Sequence, residues 1–123
     1  MIDLDDHAGE YYADQLPEAI KRVRAGVEWL DKNYPGWLDK VEVNELELED
    51  SCKCVLGQLF SEEAVNSDEF TGFGYAMNVV FDPDAEFPYD KVSRLGFDSD
   101  GDVCFSALQI VWEDAISSRK EKA

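Results

Sequence analysis

The chain is expected to fold as a mainly α, compact helical domain of three main helices around an irregular acidic middle. Three observations carry that expectation. Apolar residues recur at helical spacing near both ends, as Ile20, Val23, Val27 and Leu30 and again as Phe105, Leu108, Trp112 and Ile116. Between them, Cys52-Lys53-Cys54-Val55-Leu56-Gly57-Gln58-Leu59-Phe60 gathers small, sulfur-bearing and large apolar residues with one charge, the pattern of a buried hub. At 123 residues and 45% apolar composition, with seven Phe, five Tyr and three Trp, the chain suffices for one core. A short hairpin in the middle, making the fold α+β, is the alternative.

Residues 1–15 are acidic and polar, with only Ile2, Leu4 and the Tyr11-Tyr12 pair able to pack, so they form a flexible start to a single domain over 16–119. His7, the one histidine, lies there without a rigid scaffold for metal or catalytic work. Pro17 suits a first helical position, and Tyr34-Pro35-Gly36 stops the helix begun there. Lys21, Arg22 and Arg24 lie off its apolar stripe, as a solvated face near the negative start of the chain. Val41, Val43, Leu46 and Leu48 alternate with acids but slip phase at Asn44-Glu45, which predicts an irregular connector laying Leu46 and Leu48 on the core.

Asp50-Ser51 caps a second helix from Cys52 through Phe60. Gly57 inside it costs about 1 kcal/mol against alanine, so another segment must approach the backbone there. In the middle, Gly72-Phe73-Gly74-Tyr75 reads as loose, and Tyr75–Phe81 suits a short helix or, with Val79-Val80-Phe81, a strand. Asp82-Pro83-Asp84 reads as a turn. Lys91–Leu95 forms a helical turn ended by Gly96, and the last helix runs from Val103 to Arg119, with Asp98, Asp100 and Asp102 as its acidic cap and 120–123 as a frayed tail.

Charge is the most informative feature for function. Acids number 28 against 11 bases, a net −17, which disfavours direct nucleic-acid contact and anionic membranes and favours a basic protein surface as partner. No Lys or Arg falls between Cys54 and Asp90. The candidate partner-binding residues therefore come from this stretch: Glu62, Glu63, Asp68, Glu69, Asp82, Asp84, Glu86, Phe87, Tyr89 and Asp90. Three cysteines cannot all pair within one chain, and no leader or long apolar span is evident, so the expected location is cytoplasmic.

Recognisable chemistry is absent from the pattern, so no cofactor, no metal and no enzyme activity are expected. Cys52 and Cys54 are separated by one residue rather than the two to four usual in zinc sites. Aligning Asp98, Asp100 and Asp102 to a calcium loop puts Val103 where glycine is needed and Gln109 where glutamate is needed. The glycines around Phe73 match no phosphate loop and have no base beside them.

Trp29-Leu30-Asp31, Pro35-Gly36-Trp37, Leu46-x-Leu48, Cys54-Val55-Leu56-Gly57-Gln58-Leu59, Leu95-Gly96-Phe97-Asp98 and the closing tryptophan helix together resemble small acidic proteins of actinobacteria and their phages. The resemblance spans most of residues 17–118, and Cys-Val-Leu-Gly-Gln-Leu is its distinctive part. It implies a small domain of phage or prophage origin and carries over no catalytic residue. Two functions are then in play. One is a non-enzymatic binding module whose acidic face engages a basic surface of a host protein, with DNA mimicry as its extreme form. The other is a self-assembling homodimer built through the first and last helices.

Overall fold

A computed structural model of the chain describes residues 14–81 and 88–122. The described residues form helices and turns with no strand: α1 Leu16–Asn33, α2 Trp37–Lys40, a 3-10 turn Val43–Glu45, α3 Val55–Leu59, α4 Ser61–Asn66, α5 Gly72–Tyr75, a π-helical segment Ala76–Val80, α6 Pro88–Arg94 and α7 Phe105–Lys122. The mainly α expectation holds, and the hairpin alternative finds no strand among these residues.

The two long helices make the frame. Gln15 Oε1 accepts from the Cys104 amide at 2.7 Å, and Arg119 donates to both oxygens of Asp31 at 3.0 and 2.9 Å. Start meets start and end meets end, so α1 and α7 run parallel, and everything between them must return along their sides. α1 buries Ala19, Arg22, Val23, Gly26, Val27 and Leu30. This face is rotated from the expected stripe: Ile20 is 40% exposed, because the inner line runs 19, 23, 26 and 30 and leaves position 20 on its edge. α7 continues to Lys122, past the expected end at Arg119, and Lys120 Nζ donates to the Val41 carbonyl at 2.7 Å.

Trp112 stands at the centre, fully buried within the single chain. Its indole donates to the Gly96 carbonyl at 2.7 Å, stacks on Phe97 at 5.5 Å and meets the edge of Trp37. Gly96 takes φ 77°, the Gly96 amide donates to Ser93 and the Phe97 amide to Val92, both at 3.0 Å, so α6 ends in a Schellman motif that aims Phe97 inward. A Cβ on Gly26 would fall inside 3.0 Å of the Leu95 carbonyl oxygen, which is how α1 lies so close to this turn.

The hub is buried but differently framed. Asp50 Oδ1 accepts from the Cys52 and Lys53 amides at 2.8 and 3.2 Å, so residues 50–53 form turns and α3 starts at Val55, three residues later than expected. Its cap is Cys54, whose Sγ accepts from the Gly57 amide at 3.2 Å. The close approach expected at Gly57 is present on both sides. A Cβ there would meet the carbonyl carbon of Cys52 at 2.7 Å, and a Cβ on Gly72 would meet the carbonyl carbon of Gly57 at the same distance. The stretch 72–75, expected to be loose, is helical because Thr71 Oγ1 caps it by accepting from the Gly74 amide at 2.9 Å.

Two glutamines secure the connector onto this core, as expected for Leu46 and Leu48. Gln109 accepts from the Leu48 amide at 2.8 Å and donates to the Leu46 carbonyl at 2.7 Å, while Gln58 accepts from the Glu42 amide at 2.7 Å and donates to the Lys53 carbonyl at 2.8 Å. Edge-like backbone groups that would face a strand are satisfied by side chains instead.

Arg22 departs most from its sequence reading. It is buried rather than solvated, donating to Glu18 at 2.8 Å and to Asp100 at 2.6 Å. Asp100 in turn accepts from the Asp102 and Val103 amides at 2.8 and 3.2 Å, so it caps a turn and not α7, which begins at Phe105. Arg22's hydrogen bond lowers the Glu18 pKa; for Asp100, burial works against the charge, but Arg22 and the two amides outweigh it and lower the pKa. Depressed carboxylates stabilise the fold above their unfolded pKa, near 4, and that contribution is lost as pH falls through the lower folded values. Arg22→Met, which removes the buried guanidinium's hydrogen bonds, is expected to lower stability at neutral pH and to flatten the loss of stability below about pH 4. Urea titrations across pH check both.

Candidate functional site

The acid-only stretch is built around α4 and the turn after it. Phe60, with φ −107° and ψ 20°, hinges α3 into α4, turning its own ring inward against Tyr34 and Tyr75 at 5.1 and 5.6 Å. Glu62 and Glu63 then fall in the first turn of α4, where carboxylates interact favourably with the exposed amides. Ala64 is buried and Val65 is 77% exposed, so the short helix has one inner and one outer face.

The turn is held by its own backbone. Asp68 takes φ 61°, and the Glu69 amide donates to the Ala64 carbonyl at 2.9 Å, closing α4 with an aspartate where glycine is usual. Asn78 Nδ2 donates to both Glu69 carboxylate oxygens at 3.3 Å, tying the turn to the π-helical segment. In that segment the Phe81 amide reaches five residues back to Ala76 at 2.8 Å. The extra residue in this turn shifts the helical phase, so Phe81 turns in to stack on Trp29 at 5.0 Å and Val79 faces out.

Four of the candidate residues, Glu62, Glu63, Asp68 and Glu69, thus share one corner. None of them has an ion-pair partner among the described residues, where the paired cations are Arg22 and Arg119. Glu63 Oε2 is covered and has no hydrogen-bond partner among the described residues. Burial first, then Tyr75 and the Glu63 charge, raise the pKa of Tyr34, which stays a neutral phenol. Asp90 lies elsewhere, exposed on α6, which packs against α1; its neighbour Lys91 sits 5.8 Å from the Phe81 ring. Tyr89 is also on α6, and Asp82, Asp84, Glu86 and Phe87 lie outside the described residues, as does His7.

Sequence reasoning missed Phe70, which is 99% exposed at the tip of this corner. Its signal was present: an aromatic flanked by Asp68, Glu69, Thr71 and Gly72, with no apolar neighbour within two positions.

Burial raises the Cys54 thiol to about 11, and Cys54 works as a helix cap; Cys52 is exposed and Cys104 half-buried. Among the described residues no group of three or more His, Cys, Asp or Glu side chains is placed to hold a metal ion. Within the Asp98–Asp102 run, Asp100 is engaged by Arg22. A groove of about 580 Å³ runs between α1 and α7, with Ile20, Val27, Val111 and Ala115 between Arg24, Glu28, Asp114 and Arg119. No helix among the described residues is long and apolar enough to cross a membrane. Comparison with protein-family models, curated proteins and solved structures finds no match for this chain.

Proposed function

We propose that the protein is a non-enzymatic binding module, possessing an acidic face that engages a basic surface of a host protein. The observation that carries this reading is the corner at 61–69. Its carboxylates have no cationic neighbour in sequence from Cys54 to Asp90 and no ion pair among the described residues. Like charges that make no ion pair repel each other and gain when a cation arrives. The acids sit on one short helix and one tight turn, which favours a compact patch over the long double row that imitation of a duplex needs. A phage or prophage setting, with a host protein as target, accords with the sequence resemblance.

A pair of charge-matched variants tests the reading. Glu62→Gln, Asp68→Asn and Glu69→Gln together remove three charges from the corner; Glu45→Gln, Glu47→Gln and Glu49→Gln remove three from the connector. Both are expected to fold, since Asn tolerates the left-handed turn and Gln keeps an acceptor for Asn78. In pull-downs from host lysate, a basic protein eluted by salt should be lost from the corner variant and kept by the connector variant. Equal capture by both would refute a dedicated acidic face.

A further inference from the structure

Charge alone leaves the apolar side chains of this corner unexplained. Val65, Phe70 and Val79 are 77%, 99% and 55% exposed. Two contacts tie together the segments that carry them: the Glu69 amide on the Ala64 carbonyl at 2.9 Å, and Asn78 on the Glu69 carboxylate at 3.3 Å. Each exposed residue comes directly after one of those three bonded residues in the chain. The tip is also pinned from both sides, by Asp68 at φ 61° and by the Thr71 cap on the Gly74 amide at 2.9 Å. Phe70 is therefore presented outward by ordered backbone, and docking it would cost little ordering entropy.

We propose that this corner is the docking site for a cationic amphipathic helix of a partner protein, with Phe70 as the apolar anchor and Glu62, Asp68 and Glu69 as the acidic rim. The inference rests on the acidic-face reading and goes beyond it by naming the partner's chemistry. Exposed apolar side chains on these tied segments, Phe70 foremost, call for an apolar strip, and carboxylates without an ion pair call for Lys or Arg flanking that strip. An amphipathic basic helix offers both side by side. A second copy of the chain is a poor occupant, since it would bring its own −17 against the same acids.

The test uses two synthetic helical peptides of equal length and charge, one lysine–leucine and amphipathic, the other lysine–serine, titrated into the intact protein by calorimetry at about 0.05 and 0.15 M salt. The lysine–leucine peptide is expected to bind at least about 30-fold more tightly, and Phe70→Ala should remove at least about 10-fold of that affinity while leaving the lysine–serine peptide unchanged. At 99% exposure Phe70 contributes little to the fold, so the variant's melting temperature should match that of the parent. Equal affinity for both peptides, weakened by salt, would overturn the apolar anchor and leave the acidic face standing. Failure to bind either peptide even at low salt would overturn both. Tight binding untouched by Phe70→Ala would place the site elsewhere, and self-association of the protein that Phe70→Ala abolishes would make a second copy the occupant; either result overturns the proposal.

Discussion

Alanine at Gly57 is expected to lower the free energy of unfolding by about 3 kcal/mol, against a helix preference that favours alanine by about 1 kcal/mol. The two effects have opposite signs, so the sign of the result decides between them. Gly57 lies inside α3 with ordinary helical neighbours, and on a solvent-facing helix the change would stabilise. Here the added methyl would be driven into the Ser51 and Cys52 backbone, and the Gly57 backbone is itself the surface on which Gly72 rests. Backbone atoms held by the Asp50 turn and the Thr71 cap have little freedom to give way. Gly72→Ala should cost a similar amount, and the double variant should depart from additivity, because the two substitutions press on the Gly57 backbone from opposite sides. Urea unfolding monitored by tryptophan fluorescence measures all three; an unchanged or raised midpoint for Gly57→Ala would mean that α3 does not lie against the 51–52 turn.

The second large effect is at Trp112. Trp112→Ala should cost about 3–5 kcal/mol, the range for deleting a buried indole and leaving a cavity. Trp112→Phe separates packing from polarity: it keeps an aromatic surface for Phe97 but orphans the buried Gly96 carbonyl, at about 1–3 kcal/mol. Because Gly96 also carries the Schellman turn and lies 3.1 Å, by its would-be Cβ, from the Val23 amide nitrogen, loosening it disturbs α1, α6 and α7 together. A loss below about 1 kcal/mol for Trp112→Ala, measured by denaturant titration, would contradict its place at the centre of the core.

The features legible in the sequence and those hidden from it divide along physical lines. Pro17, the Tyr34-Pro35-Gly36 stop and the Leu108, Trp112, Ile116 series are local signals, and α1 and α7 match them closely. Gly57 was legible because a glycine inside an apolar helix costs stability unless something lies against it. Gly26 carries the same helix-interior cost within the first helix, but its contact, the Leu95 carbonyl, lies far off in sequence and only the fold shows it. Arg22 was misplaced because a guanidinium pattern says nothing about Asp100, 78 residues away, and only the fold brings the partner that lets the charge be buried. The middle was hardest: caps at Thr71, an αL aspartate and a π register are set by single hydrogen bonds that periodicity does not detect. Of the candidate site, the acidic character was visible in the run without bases, and Phe70 was marked by its polar neighbours, whereas the outward turn of Val79 depends on the π register and has no local signal.

The functional reading depends on the 61–80 corner being the place where a cation-bearing partner lands. Amide chemical-shift mapping of the full chain with the lysine–leucine peptide tests this directly. The expected result is a set of perturbed amides confined to residues 61–80 and centred on Glu69, Phe70 and Asn78, with those of the acidic connector at 42–50 unmoved. Perturbations spread evenly over every acidic segment, or centred on the groove between α1 and α7, would contradict it.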